Sequence, residues 1–158
     1  MKLHPSLDLP KRRGEWVELL FAAKAVSLGF TVVKPWGDTS RYDFALEKSG
    51  IFLRVQVKST YNLTTDKTSY QCKLDIQGIP YHYHSGNVDF LAIYIIPEDV
   101  WYILPVQLTE HIRSAITLAP NIKGHKYEPS KEAWHLLDQF ITDRQTQHFP
   151  IAQQQHSQ

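Results

Sequence analysis

The stretch IFLRVQVK (51–58) alternates strictly. Ile51, Leu53, Val55 and Val57 fall on one face of a strand, and Phe52, Arg54, Gln56 and Lys58 on the other. One face is wholly apolar, while the other ends in an amide and an ammonium two residues apart. Upstream, RYDFALE (41–47) alternates too, with Tyr42, Phe44 and Leu46 opposite Asp43, Ala45 and Glu47. Lys48-Ser49-Gly50 between the two runs predicts a hairpin turn. Before them, GEWVELLFAAKAVSLG is rich in Ala and Leu and predicts a helix from Gly14 that stops at Gly29. FTVVK (30–34) is a short strand ended by Pro35, and PWGDTSR is a loop.

Further along, residues 59–68 are polar and Thr-rich, a loop before a strand at 69–76. IPYHYHSGN is irregular. VDFLAIYII (88–96) and VWYILPV (100–106) predict a second hairpin around Pro97-Glu98-Asp99. Helices are expected from Thr109 to Ile116 and from an N-cap at Ser130 to Phe140. Residues 1–13 read as a flexible basic lead-in, 14–142 as a single domain, and 143–158 as a disordered tail. The element order points to an α/β (α+β) domain around one mixed sheet.

Composition narrows the options more than it chooses among them. The chain has 158 residues, 42% of them hydrophobic, which suits one core of ordinary size. Seventeen basic and sixteen acidic residues leave a net charge of +1, so a nucleic-acid site would rest on local arrangement, not on overall charge. The lone Cys72 excludes an intrachain disulfide and suits a reducing, cytoplasmic compartment. No apolar run is long enough for a membrane span, and the N-terminal residues lack the apolar core of a signal peptide.

The candidate chemistry lies on the first hairpin. Asp43 sits on the less apolar side of one strand, and Gln56 and Lys58 on the polar side of the next. The helix can add Glu15 or Glu18. From Glu15 the positions i+4, i+7 and i+11 are Leu19, Ala22 and Val26, an apolar face expected to turn inward. Two carboxylates, an amide oxygen and an ammonium in one cleft suit Mg²⁺ and a phosphodiester. Taken alone, D…QxK fits a surface pair across a hairpin equally well. His82 and His84 alternate, but zinc at that spacing needs further ligands. Trp36, Tyr81, Trp101 and Trp134 are expected in core or hairpin packing.

Several strings together resemble a known family. They are Gly14-Glu15 opening a helix, Gly29-Phe30-Thr31-Val32, Pro35-Trp36-Gly37-Asp38, Tyr42-Asp43, and Phe52-Leu53-Arg54-Val55-Gln56-Val57-Lys58. The combination resembles the PD-(D/E)xK nuclease superfamily, and within it the group I intron homing endonuclease-like branch, in which Gln replaces the third acidic residue. The resemblance implies a restriction-endonuclease-like mixed β-sheet flanked by helices and cleavage of double-stranded DNA with Mg²⁺, for which Mn²⁺ can substitute. It implies a metal held by Glu15, Asp43 and Gln56, with Lys58 as the catalytic lysine. Arg12, Arg13, Lys34, Arg41 and Lys67 are candidates for phosphate contacts. Symmetric DNA targets favour a homodimer or higher homo-oligomer. The rival readings are a Holliday-junction-resolvase-like or repair nuclease, and a catalytically silent nucleic-acid-binding module on a nuclease scaffold.

Overall fold

A computed structural model describes residues 4–37, 39–74 and 83–148. Its elements are α1 (Pro10–Ser27), β1 (Thr31–Val33), β2 (Phe44–Lys48), β3 (Ile51–Thr60), β4 (Tyr70–Lys73), β5 (Phe90–Ile95), β6 (Val100–Pro105), β7 (Ala115–Leu118) and α2 (His135–His148). Five strands form one sheet in the order β1-β2-β3-β5-β6, and β4 and β7 form a small second sheet. The β3–β5 pairing is parallel and the others are antiparallel, so the main sheet is mixed.

The first hairpin forms as its pattern predicts. Ser49 and Gly50 both take positive φ, 56° and 77°, the geometry that matches strand twist in two-residue turns. Glu47 Oε1 accepts the Gly50 N–H at 2.7 Å and closes the turn. The register then pairs Lys48 with Ile51 and Phe44 with Val55. Helix α1 ends as a Schellman motif: Gly29 adopts φ 84°, its N–H bonds Val26 O, and the Phe30 N–H bonds Ala25 O. Phe30 is then buried under the helix end.

Strand parity divides the core in two. Leu53, Val55 and Val57 share a cluster with Phe90, Ala92, Tyr94, Trp101 and Ile103, and with α1 and α2. Leu91, Ile93, Tyr102 and Leu104 face the opposite way, onto Tyr70, Cys72, Ile116 and Leu118 of the small sheet. Every residue of β5 is buried, as befits a central strand covered on both faces.

Several elements differ from those the sequence pattern predicts. Helix α1 starts at Pro10, so Lys11, Arg12 and Arg13 are helical. Its buried stripe is Val17, Phe21 and Ala25, whereas Leu19 and Val26 are 70% and 59% exposed. Apolar residues lie all round this helix. The Phe21 ring, set among Phe44, Trp101 and Trp134, decides which face turns in. No helix runs from Thr109 to Ile116. Thr109 closes a turn on Val106 O, and Ala115–Leu118 is a strand in which Ile116 and Leu118 alternate with exposed Thr117. Ser130 is buried in a 3₁₀ turn and does not cap α2, which begins five residues later at His135. The helix also continues past Thr142 to His148. Trp36 is fully exposed, while Trp101 and Trp134 pack in the core as expected. Tyr81, His82 and the expected strand end at 75–76 lie outside the described residues, as do 149–158. Among the described residues no helix is long and apolar enough to cross a membrane.

Candidate active site

The site forms where β2 ends and β3 continues. The last β2 partner of β3 is Phe44, opposite Val55, yet β3 runs on to Thr60. Asp43 stands one step beyond, so the register sets it opposite Gln56. Its N–H still bonds Val55 O at 3.0 Å. Its carboxylate replaces the missing strand. Oδ2 accepts the Val57 main-chain N–H at 2.8 Å and the Gln56 Nε2–H at 2.6 Å. The same Gln56 nitrogen lies 3.4 Å from Val57 O.

Asp43, Gln56 and Lys58 line an open cleft of about 420 Å³ with Thr39, Ser40, Arg41 and Tyr83. Lys58 also lines a neighbouring cleft of about 240 Å³ with Pro10, Arg13, Gly14, Val17, Glu18, Val57 and Ser59. Lys58 therefore sits between the hairpin site and the first turns of α1. Its Nζ lies 5.8 Å from the Tyr83 ring centroid.

Burial raises the Asp43 carboxyl above the ordinary carboxylate range. The Val57 N–H opposes that shift, the Glu18 charge adds to it, and Lys58 and Gln56 oppose it. Burial also pushes the Cys72 thiol up to about 12, with the Lys58 charge opposing, so the only thiol is inert. Cys72 thus packs behind Lys58 as a small core residue.

The structure brings three of the four expected residues together. Glu15 is exposed on α1 and lines neither cleft. Glu18, three residues on, is the helical carboxylate that faces the site. Its Oε2 takes Lys34 Nζ at 2.7 Å, so Lys34 is engaged in an ion pair. That bond, followed by the opposing effect of burial, holds Lys34 above its ordinary value. Of the other basic candidates, Arg41 lines the larger cleft and Arg13 the smaller. Arg12 and Lys67 are exposed. His84 is exposed, and its Nδ1 accepts the Gly86 N–H at 3.1 Å. Among the described residues no three His, Cys, Asp or Glu side chains converge on one point. The Asp43 site instead sets one carboxylate beside the Gln56 amide nitrogen and the Val57 carbonyl.

Sequence reasoning missed the brace behind this site. Asp89, 8% exposed, accepts Arg54 N at 2.7 Å, Arg54 Nε at 3.0 Å and Arg54 Nη2 at 3.0 Å. The same guanidinium bonds Ser85 O and Gly86 O, both at 2.8 Å. The brace ties the segment after Tyr83 to β3. Its one visible signal was an Asp heading an otherwise apolar run.

Comparison with known proteins bears on the family and the fold. Residues 9–137 match the PD-(D/E)XK endonuclease family profile. The fold is similar to that of a bacterial homing endonuclease, I-Ssp6803I, at 27% sequence identity and a TM-score of 0.72, covering 87% of this chain and 97% of that one. A Holliday junction resolvase, Hjc of Archaeoglobus fulgidus, is more distant: 16% identity, a TM-score of 0.45, and coverage of 68% and 84%. No curated protein sequence matches the chain. The mixed sheet with its flanking helices is the restriction-endonuclease-like fold expected from the sequence.

Proposed function

Since the chain belongs to the PD-(D/E)XK endonuclease family, we propose that it hydrolyses phosphodiester bonds of double-stranded DNA with Mg²⁺, at the cleft where Asp43, Gln56 and Lys58 meet. The observation that carries the proposal is the convergence of Gln56 and the Val57 N–H on Asp43 Oδ2 at 2.6 and 2.8 Å, with Lys58 in the same cleft.

The residues present suit a hard dication, which takes oxygen ligands and keeps several waters. Asp43 offers a carboxylate and Val57 a carbonyl. Gln56 offers its amide oxygen once the side chain turns over. In this structure its nitrogen instead donates to Asp43 Oδ2 and lies near Val57 O. Glu18 supplies a further carboxylate from α1 and is a better candidate ligand than exposed Glu15. When bound, the ion polarises the phosphoryl group and lowers the pKa of a water molecule. Asp43 and Gln56 orient the site. Lys58 donates hydrogen bonds to phosphoryl oxygen and balances the charge that gathers there as the bond to the leaving oxygen lengthens. Tyr83 beside Lys58 keeps water off one flank of the cleft.

The homing endonuclease likeness favours a linear duplex as substrate. One site cuts one strand, and the two strands of a duplex are related by two-fold symmetry, so a homodimer or higher homo-oligomer fits a double-strand cut. Lys58→Ala tests the proposal directly. The variant should keep its fold and its DNA affinity and lose plasmid cleavage in Mg²⁺. Normal cutting by that variant would refute the role of Lys58. No Mg²⁺-dependent nicking by the native protein would favour the silent binding module, and preference for four-way junctions over linear duplex would favour a resolvase.

A further inference from the structure

We propose that the smaller cleft beside Lys58 seats a second stretch of the DNA sugar-phosphate backbone, and that Gly14 keeps it open for that purpose. This rests on the nuclease reading above and extends it to the path of the substrate.

Gly14 is a glycine where helix propensity disfavours one. Gly14 lies inside α1, where glycine is the poorest ordinary helix former. Its backbone does not require glycine, because it is not among the residues with positive φ. Packing does not require it either, since a Cβ built there meets nothing within 4 Å. What remains is the cleft that Gly14 lines. A side chain there would project into space that no part of the described chain fills.

The surroundings identify the occupant's chemistry. Lys58 belongs to both clefts, so whatever fills this one is continuous with the phosphate beside Asp43. Arg13 stands on the wall as a fixed cation. Its Nη1 donates to Leu7 O at 3.2 Å and to Asp8 O at 3.3 Å, and its guanidinium lies 4.6 Å from the Tyr61 ring centroid. Those bonds leave Nε and Nη2 without a bond among the described residues. The adjoining start of α1 has no side-chain cap and no acidic residue in its first turn, the nearest acidic residue before it being Asp8. Glu18 is the one carboxylate on the wall, and Lys34 pairs with it. An open cleft with two cations, continuous with the reaction site, suits a polyanion threading past.

Gly14→Ala and Gly14→Leu test this against Ala23→Leu, an exposed position on the same helix that lines neither cleft. Both Gly14 variants should melt at or above the native temperature, because each is a better helix former than glycine. Gly14→Leu should raise Kd and KM for duplex DNA by about tenfold or more, and Gly14→Ala by less. Its log Kd against log salt should lose about one unit of slope, the signature of one lost phosphate contact. The control should bind as the native protein does. Native-like Kd, KM and salt slope in Gly14→Leu would overturn the proposal while leaving the nuclease reading intact. Failure of the native protein itself to bind DNA would overturn both.

Discussion

Replacing Asp89 with Ala tests how the site is held, because Asp89 touches no substrate in the reading above. Its carboxylate is 8% exposed and takes three bonds from Arg54, at 2.7, 3.0 and 3.0 Å. Two of them reach a guanidinium that is itself 29% exposed. The Asp89 bond, opposed by burial, holds that guanidinium above its ordinary value. Removing one partner of a buried pair costs about 3–5 kcal/mol, because the other charge is left without its counterion. Arg54 is partly wet and keeps Ser85 O and Gly86 O, so the low end applies, about 3 kcal/mol. At about 2–4 °C per kcal/mol for a chain of this size, the melting temperature should fall by about 6–12 °C. Urea unfolding should show a lower midpoint at unchanged m. Asp89→Asn keeps an acceptor for the Arg54 N–H and should cost less. The brace ends at the segment carrying Tyr83 toward Lys58, so folded Asp89→Ala should also lose kcat/KM at low temperature. A loss of stability within about 0.5 kcal/mol, the level of an ordinary surface change, would refute the brace.

Three further outcomes follow from the site. Glu18→Gln should cut kcat/KM by about 10- to 100-fold, the scale for a group that supports a metal site, while Glu15→Gln should leave turnover close to native; equal losses in steady-state assays would contradict the placement of Glu15 outside the clefts. Asp43→Asn should abolish cleavage yet stabilise the metal-free protein at neutral pH. The folded state holds the Asp43 proton more tightly than the unfolded chain, so native stability falls as pH rises from the ordinary carboxylate range through the raised value. The advantage of Asn should therefore vanish at pH values below that range, which urea midpoints at acid and neutral pH would check. Trp36→Ala should leave stability within about 0.5 kcal/mol in urea unfolding, since the ring is 100% exposed.

Much of this site could be read from the sequence because it depends on local rules. A two-residue turn at Ser49-Gly50 fixes the register, and the register alone sets Asp43 opposite Gln56. Alternation then puts Lys58 on the same face two residues on. The choice between Glu15 and Glu18 was not legible. They differ by about 60° of helix rotation, and the packing of Phe21 against residues more than twenty positions away sets the phase. The Arg54–Asp89 brace spans 35 residues and leaves no periodic trace. Strand β7 was hidden for a related reason. Among the described residues its four residues pair with β4, more than forty positions earlier, so no neighbouring turn marked it as a strand.

The surroundings of Asp43 favour a neutral residue at position 56. Around the site, Asp43 and Glu18 contribute two negative charges, and Lys58, Lys34, Arg41 and Arg13 four positive ones. With Gln56 neutral the two clefts keep a positive excess, which suits a polyanion. Its amide adds a 2.6 Å bond to an Asp43 carboxylate that burial and Glu18 already disfavour. A carboxylate at 56 would turn that bond into a repulsion. Two such charges about 4 Å apart cost on the order of 4 kcal/mol at an effective dielectric of 20. Glutamine therefore spares the ion-free fold that repulsion, and in the proposed mechanism it would offer the ion a neutral ligand. The same neutrality has a catalytic side. In the proposed mechanism a dication would add to that positive excess, and a third carboxylate would offset part of it. Ion affinity and attraction for the substrate thus pull in opposite directions at this one residue. The ion should then be held best when DNA phosphate completes its shell.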